Sequence, residues 1–367
     1  MKKALSLILA LCLFASAFAL LPLAEERETA PAAPVVIGTQ VHVDRDLTVK
    51  VFVRVPEDAK GAGVYVSVGK ENAKRLSGEL QEDGSYLVTY KELGTADMTL
   101  VITFTPWALV GQELVRGEEC AFSVQDYATR LLRRGNLGDA TRAVLVAMLN
   151  YGAAVQDLLD YRPYHKPNDY LTNEELVLPP LAFGEEAKGG YYVDPNAPDR
   201  YHSIVDFASL AIEQRNNIRF NVYLNVEGQE NLRVNGGEGI AGCEQMTPAA
   251  EAEAFCRGYI LQFGRVGENG LPDYTQAIDC EIKKSENGPG YVASSKALSY
   301  LSMREEFVVR VLSPDGKESA SIYYSVAAFA KTVLESEDAA TSEEARLLHA
   351  MLVFGDALSA YADEISE

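Results

Sequence analysis

The sequence predicts an α+β protein of two tandem repeats, each an immunoglobulin-like β-sandwich followed by an αα-hairpin. Three observations carry that expectation. Apolar residues recur with a period of two in the first part of each half, the period changes to 3.6 in the last third, and the chain matches itself at an offset of 202. With 367 residues, 47% hydrophobic and 23% charged, the composition is that of a folded chain and leaves room for two domains.

The strands come first. Leu47, Val49, Val51, Val53 and Val55 alternate with Thr48, Lys50, Phe52 and Arg54, and Val64, Val66 and Val68 repeat the pattern. Such alternation marks strands with one buried face. Residues 35–43, 86–90, 100–105 and 120–124 are further candidates, separated by Gly, Asp and Pro turn signals. So many short strands in so short a stretch call for a sandwich, because a lone sheet leaves one apolar face wet.

The helices follow. Ser123 and Asp126 fit the S-x-x-[DE] helix start, and Val124, Tyr127, Ala128, Leu131 and Leu132 make one stripe behind it. Gly135 and Gly138 break that helix, Asp139 is placed to cap the next, and Val144, Ala147, Met148, Tyr151, Val155 and Leu158 form its stripe. In the second half Thr341 and Glu344 read as a capping box ahead of Leu347, Met351, Phe354 and Leu358.

The self-match ties the halves together. Ser123, Val124, Tyr127, Ala128 and Leu132 fall on Ser325, Val326, Phe329, Ala330 and Leu334, and Ala147 to Ala154 fall on Ala350 to Ala357 one residue out of that register. Upstream, Tyr86, Lys91, Leu93 and Met98 face Tyr291, Lys296, Leu298 and Met303 at an offset of 205, while 47–55 matches 218–226 at 171. The second copy therefore carries an insertion of about 34 residues near 235–270. The run Ser123-Val124-Gln125-Asp126-Tyr127-Ala128, followed by Ala147-Met148-Leu149-Asn150-Tyr151-Gly152-Ala153-Ala154, resembles a repeated sandwich-plus-helical-hairpin module of uncharacterised secreted and cell-surface proteins of Gram-positive gut bacteria. The second copy keeps it in part, with Val353 and Asp356 where the first has Asn150 and Ala153. The resemblance implies an extracellular, non-catalytic accessory role and supplies no active site.

Lys2 and Lys3 precede an uncharged apolar run over 4–23 that holds Ala15-Ser16-Ala17 and Ala17-Phe18-Ala19, the pattern of a secretory signal peptide over 1–19. The rival is a membrane anchor, disfavoured by the small residues and by Pro22. Residues 20–34 then form a tether, 35–161 the first repeat, 162–200 a Pro- and Tyr-rich linker and 201–363 the second repeat. With 33 Lys and Arg against 53 Asp and Glu the net charge is −20, so nucleic acid and anionic lipid are poor partners.

Motifs for chemistry are few. Gly237-Glu238-Gly239-Ile240-Ala241-Gly242 spells G-x-G-x-x-G, but Thr247 and Pro248 start the next helix too late for its amides to meet a pyrophosphate, so a glycine hairpin loop is expected and no cofactor. His42, His165, His202 and His349 have no metal-pair spacing, and the G-x-S-x-G elbow is absent. Asp194, Asn196 and Asp199 lack the glycine and glutamate of a calcium loop, so no metal is expected. Cys243 and Cys256 are the first choice for a disulfide, with Cys120 and Cys280 as the remaining thiols; the alternative is that all four are reduced.

Tyrosines are the sharper signal. Tyr164, Tyr170, Tyr191 and Tyr192 stand among prolines with no periodic apolar face, which suits stacking on sugar rings or docking a protein; the alternative is that they pin the linker. The expected function is a secreted, non-enzymatic surface or interaction protein binding glycan, wall polymer or a partner protein. An extracellular hydrolase without a readable motif is the alternative.

Overall fold

The computed structural model describes residues 32–43, 45–69, 71–184, 190–192, 205–213, 217–224, 260–284, 291–312 and 321–366. It is a mixed α+β chain, mostly strand, with four sheets and four α-helices among the described residues. Two compact units divide it: unit 1 holds Met1–Pro179, Gln214–Asn216 and Val353–Glu367, and unit 2 holds Pro180–Glu213 and Asn217–Leu352.

In unit 1 the strands are β1 (Val35–Val43), β2 (Leu47–Arg54), β3 (Ala59–Val68), β4 (Lys74–Ser77), β5 (Glu79–Leu80), β6 (Tyr86–Leu93), β7 (Ile102–Val110), β8 (Glu113–Arg116) and β9 (Cys120–Phe122). All pair antiparallel, one sheet in the order β1-β2-β6-β5 and the other β4-β3-β7-β8, with β9 also on β7. The alternating residues Val49, Val51, Val53 and Val88 of the first sheet and Val64, Val66, Ile102 and Phe104 of the second are all buried. Tyr90 meets Phe104 edge to face at 6.4 Å, joining the two inner faces.

The outer face of the second sheet is closed differently. Tyr65 stands opposite Arg75, and Trp107 opposite Arg116. Each arginine reaches diagonally instead of across, so that Arg75 lies 3.9 Å over the Trp107 ring and Arg116 lies 4.4 Å over Tyr65. The Trp107 indole N–H donates to the Leu76 carbonyl at 3.2 Å. Gly63, opposite Trp107, leaves the gap that this interleaving needs.

Helix α1 (Val124–Arg133) starts at Ser123, whose hydroxyl accepts from the Asp126 amide at 3.1 Å as the motif requires. Gly135, at φ +71, lets the chain leave the helix. Helix α2 (Asp139–Leu158) differs from expectation at its start: Gly138 is the N-cap and makes no side-chain bond, and Asp139 is already in the first turn, where its carboxylate meets the positive end of the helix dipole. Tyr151 and Met148 are fully buried.

Unit 2 has β10 (Gly190–Tyr192), β11 (Val205–Glu213), β12 (Asn217–Leu224), β13 (Ile260–Val266), β14 (Pro272–Glu281), β15 (Lys283–Lys284), β16 (Tyr291–Ser294), β17 (Phe307–Leu312) and β18 (Ser321–Tyr324). Its sheets run β11-β12-β16-β15 and β10-β18-β17-β13-β14. Phe220 on β12 meets Phe307 on β17 at 6.2 Å, again across the two sheets. Buried Met98 and Met303 both cap 3-10 turns, at Thr95–Asp97 and Tyr300–Ser302.

Helix α3 (Val326–Leu334) is capped by the Ser325 hydroxyl, which accepts from Ala328 at 2.8 Å. The last helix, α4 (Glu343–Ser366), corrects the expected capping box. Ser342 is the residue whose hydroxyl accepts from the Ala345 amide, at 3.2 Å, while Thr341 turns back to the Asp338 carbonyl. Ser342 wins because it immediately precedes the first helical residue. The helix is continuous across the division between units, its part from Val353 onward counting with unit 1, where Phe354 stacks on Tyr151 at 5.7 Å.

Candidate binding surface

Helices α1 and α2 carry more than an apolar stripe. Gln125, 4% exposed, sits in the first turn of α1 and donates through its side-chain amide to the carbonyls of Lys166 and Pro167, at 2.7 and 3.2 Å. Asn150, 6% exposed, interrupts the buried run of α2, donates to the Glu175 carbonyl at 2.8 Å and accepts from the Asn168 side chain at 2.9 Å. Arg142 pairs with the Glu175 carboxylate at 2.5 Å, and Asp157 pairs with Lys166 at 2.6 Å. Pro167 is buried against the helix surface left open by Gly152.

These bonds fasten segment 161–179 along the helices of unit 1. The segment also turns on itself: Lys166 donates its amide to the Asp169 carboxylate at 2.9 Å, and Thr172 and Glu175 exchange backbone-to-side-chain bonds at 2.9 and 3.3 Å. Those bonds and the Arg142 guanidinium outweigh partial burial, which alone raises the Glu175 carboxyl, and hold it below its ordinary range. Asp160 and Arg162 at the entry take left-handed φ values of 45° and 51°, a strained pair that points the chain off the end of α2.

The segment and the end of α2 before it expose apolar and aromatic side chains among polar ones. Leu158, Leu159, Tyr164, Tyr170, Leu176 and Val177 are six of the fourteen exposed large hydrophobics among the described residues, and Tyr164 is 99% exposed. The Arg133 guanidinium lies 5.7 Å from the Tyr170 ring, leaving that ring 59% exposed.

Tyr164 and Tyr170 therefore sit on a fixed part of unit 1. Tyr191 and Tyr192, in contrast, belong to β10 of unit 2, paired with Ile322 and Ser321; the linker expected over 162–200 is thus partly strand. A short strand forms there because Gly190 and the two tyrosines are free of the surrounding prolines. The Cys243–Cys256 pair, the glycine motif at 237–242, the acidic loop at 194–199, the insertion up to 259, the leader 1–19 and His202 lie outside the described residues. Cys120 and Cys280 are free thiols that burial pushes up in pKa. Among the described residues no group of three His, Cys, Asp or Glu is placed to hold a metal ion. No described helix is long and apolar enough to cross a membrane.

Sequence reasoning missed Gln125, Arg142, Asn150 and Asp157. The one visible signal was Asn150 inside the apolar run Ala147-Met148-Leu149 and Tyr151-Gly152.

No protein-family model matches the chain, and no curated protein matches it. A solved structure described as a Br derivative of BhCBM56 aligns over 23% of this chain and 90% of its own, at 11% identity and a TM-score of 0.18. A likeness that weak says nothing about ligand or fold.

Proposed function

We propose that the chain is an exported, non-enzymatic binding protein built from two copies of one immunoglobulin-like sandwich with a helical hairpin, and that it binds neutral polysaccharide on the outer side of residues 158–177. The observation that carries this reading is that four exposed large hydrophobic side chains, two of them tyrosines, lie on a segment fastened by buried polar side chains, with exposed Leu158 and Leu159 just before it. Aromatic faces already held in place stack on sugar rings at little ordering cost. A net charge of −20 disfavours anionic polymers, and of the cations nearby Arg142 and Lys166 are paired with Glu175 and Asp157 while Arg133 lies over the Tyr170 ring.

The duplication is supported by equivalent sheet orders. Strands one, two, six and five form one sheet in the first unit, and counting from β11 the second unit has the same order; in the other sheet four, three and seven follow one another in both, and the strand just ahead of the capped helix, β9 in the first and β18 in the second, pairs with the seventh. Serine caps at Ser123 and Ser325 and buried methionines at Met98 and Met303 fall at matching places.

A panel of neutral and acidic polysaccharides and of peptides tests the binding reading. Neutral polysaccharide is expected to bind, and Tyr164→Ala with Tyr170→Ala to weaken it at least about tenfold, with the melting temperature nearly unchanged because both rings are exposed. Binding confined to peptide or acidic polymer, or a double mutant that binds normally, overturns it.

A further inference from the structure

Two facts about segment 161–179 meet in the amino acids that hold it. Each fastening side chain has a counterpart in the second half at the offsets of the self-match. Gln125 falls on Ala327 at 202, and Arg142, Asn150 and Asp157 fall on Ala345, Val353 and Ala360 at 203. All four polar anchors of the first half are apolar in the second. Arg133, over the Tyr170 ring, falls on Glu335.

Helix packing does not ask for these polar groups. Ala or Val fills such positions without the desolvation cost that a buried amide or charge brings, and a buried polar group is tolerated only where it finds partners. Gln125 and Asn150, both more than nine-tenths buried, find theirs on the segment: the Lys166, Pro167 and Glu175 carbonyls and the Asn168 side chain. Arg142 and Asp157 spend their charges on Glu175 and Lys166. The anchors grip the segment at 166–168, between Tyr164 and Tyr170, and again at 175 beyond Tyr170.

We propose that Gln125, Arg142, Asn150 and Asp157 are positioning residues that make segment 161–179 a strap peculiar to the first half, and that this strap holds Tyr164 and Tyr170 in the pose that meets the sugar. The second part rests on the polysaccharide reading above; the first does not. Because the second half carries Ala, Ala, Val and Ala at these places, the helices of the first half are expected to accept the same residues.

The test uses the full chain with Gln125→Ala and Asn150→Val together, the single Gln125→Ala as a milder variant, and Arg142→Lys as a conservative one that keeps the Glu175 pair. Amide hydrogen exchange is read at Leu171 and Leu176, which bond within the strap, and at Val51 in the sandwich core. Exchange at the strap is expected to quicken at least about tenfold in the double variant, with Val51 unchanged and Arg142→Lys like the wild type. Unchanged strap exchange, or equal quickening at Val51, overturns the anchoring. Binding of a neutral polysaccharide from the panel above, with both tyrosines intact, is expected to fall about tenfold in parallel. A loosened strap with undiminished binding overturns the positioning role. If the wild type binds no neutral polysaccharide, the ligand reading and the positioning role fail together, and the exchange data still decide the anchoring.

Discussion

Gly63 shows how one missing side chain sets the surface of a sheet. A Cβ there would lie 2.0 Å from the Leu76 carbonyl oxygen and 2.9 Å from the Trp107 ring, so the strand itself would have to move. Gly63→Ala is expected to lower stability by about 3 kcal/mol in urea denaturation, an overpacking cost, and to disturb the Arg75–Trp107 stack. A loss under about 0.5 kcal/mol would show that β4 is free to shift. Read in sequence, Gly63 is one small residue between Ala62 and Val64, and nothing in its neighbours announces the ring that lies beside it. The same holds for the anchors. Gln125 and Arg142 are ordinary helix residues until the chain that returns to them is known, because their partners lie 41 and 33 residues downstream. Tyr164 and Tyr170 were readable for the opposite reason: prolines and the lack of an apolar period mark them as unabsorbed by any core.

Among elements, strands with one buried face were the easiest to read. The strand expected over 35–43 runs Val35–Val43, and alternation placed β2 within a residue of its end. Lys74–Ser77 and Glu113–Arg116 were missed because they are edge strands, exposed at nearly every position, so no apolar period marks them. The strap is the element with the clearest response to acid. Its Glu175 carboxyl is held below its ordinary pKa in the docked form, so its contribution is complete above the free carboxyl's range and is lost as pH falls through the lowered value. The Leu176 amide resonance is expected to hold steady from neutrality down to the ordinary carboxylate range and to move toward a free-peptide position only below it. Arg142→Ala removes the charge partner and should bring that movement to higher pH; an unaltered midpoint would show that Glu175 does not fasten the strap.

At the scale of the molecule, composition and self-match indicated a strand-rich α+β chain, and the four sheets agree with that class. What the self-match did not reveal is that the last helix is shared out, because sequence similarity places Phe354 with its own repeat while packing places it on Tyr151. A chain ending after Leu352 is expected to lose several degrees in melting temperature, since Tyr151, fully buried in the intact protein, loses its stacked neighbour. An unchanged melting temperature would mean that residues 353–367 are dispensable to unit 1. That division of the helix also governs timing. Unit 1 lies mostly before Pro179, yet it needs residues from Val353 onward, so during synthesis the first half remains incomplete until the stretch that builds unit 2 has been made.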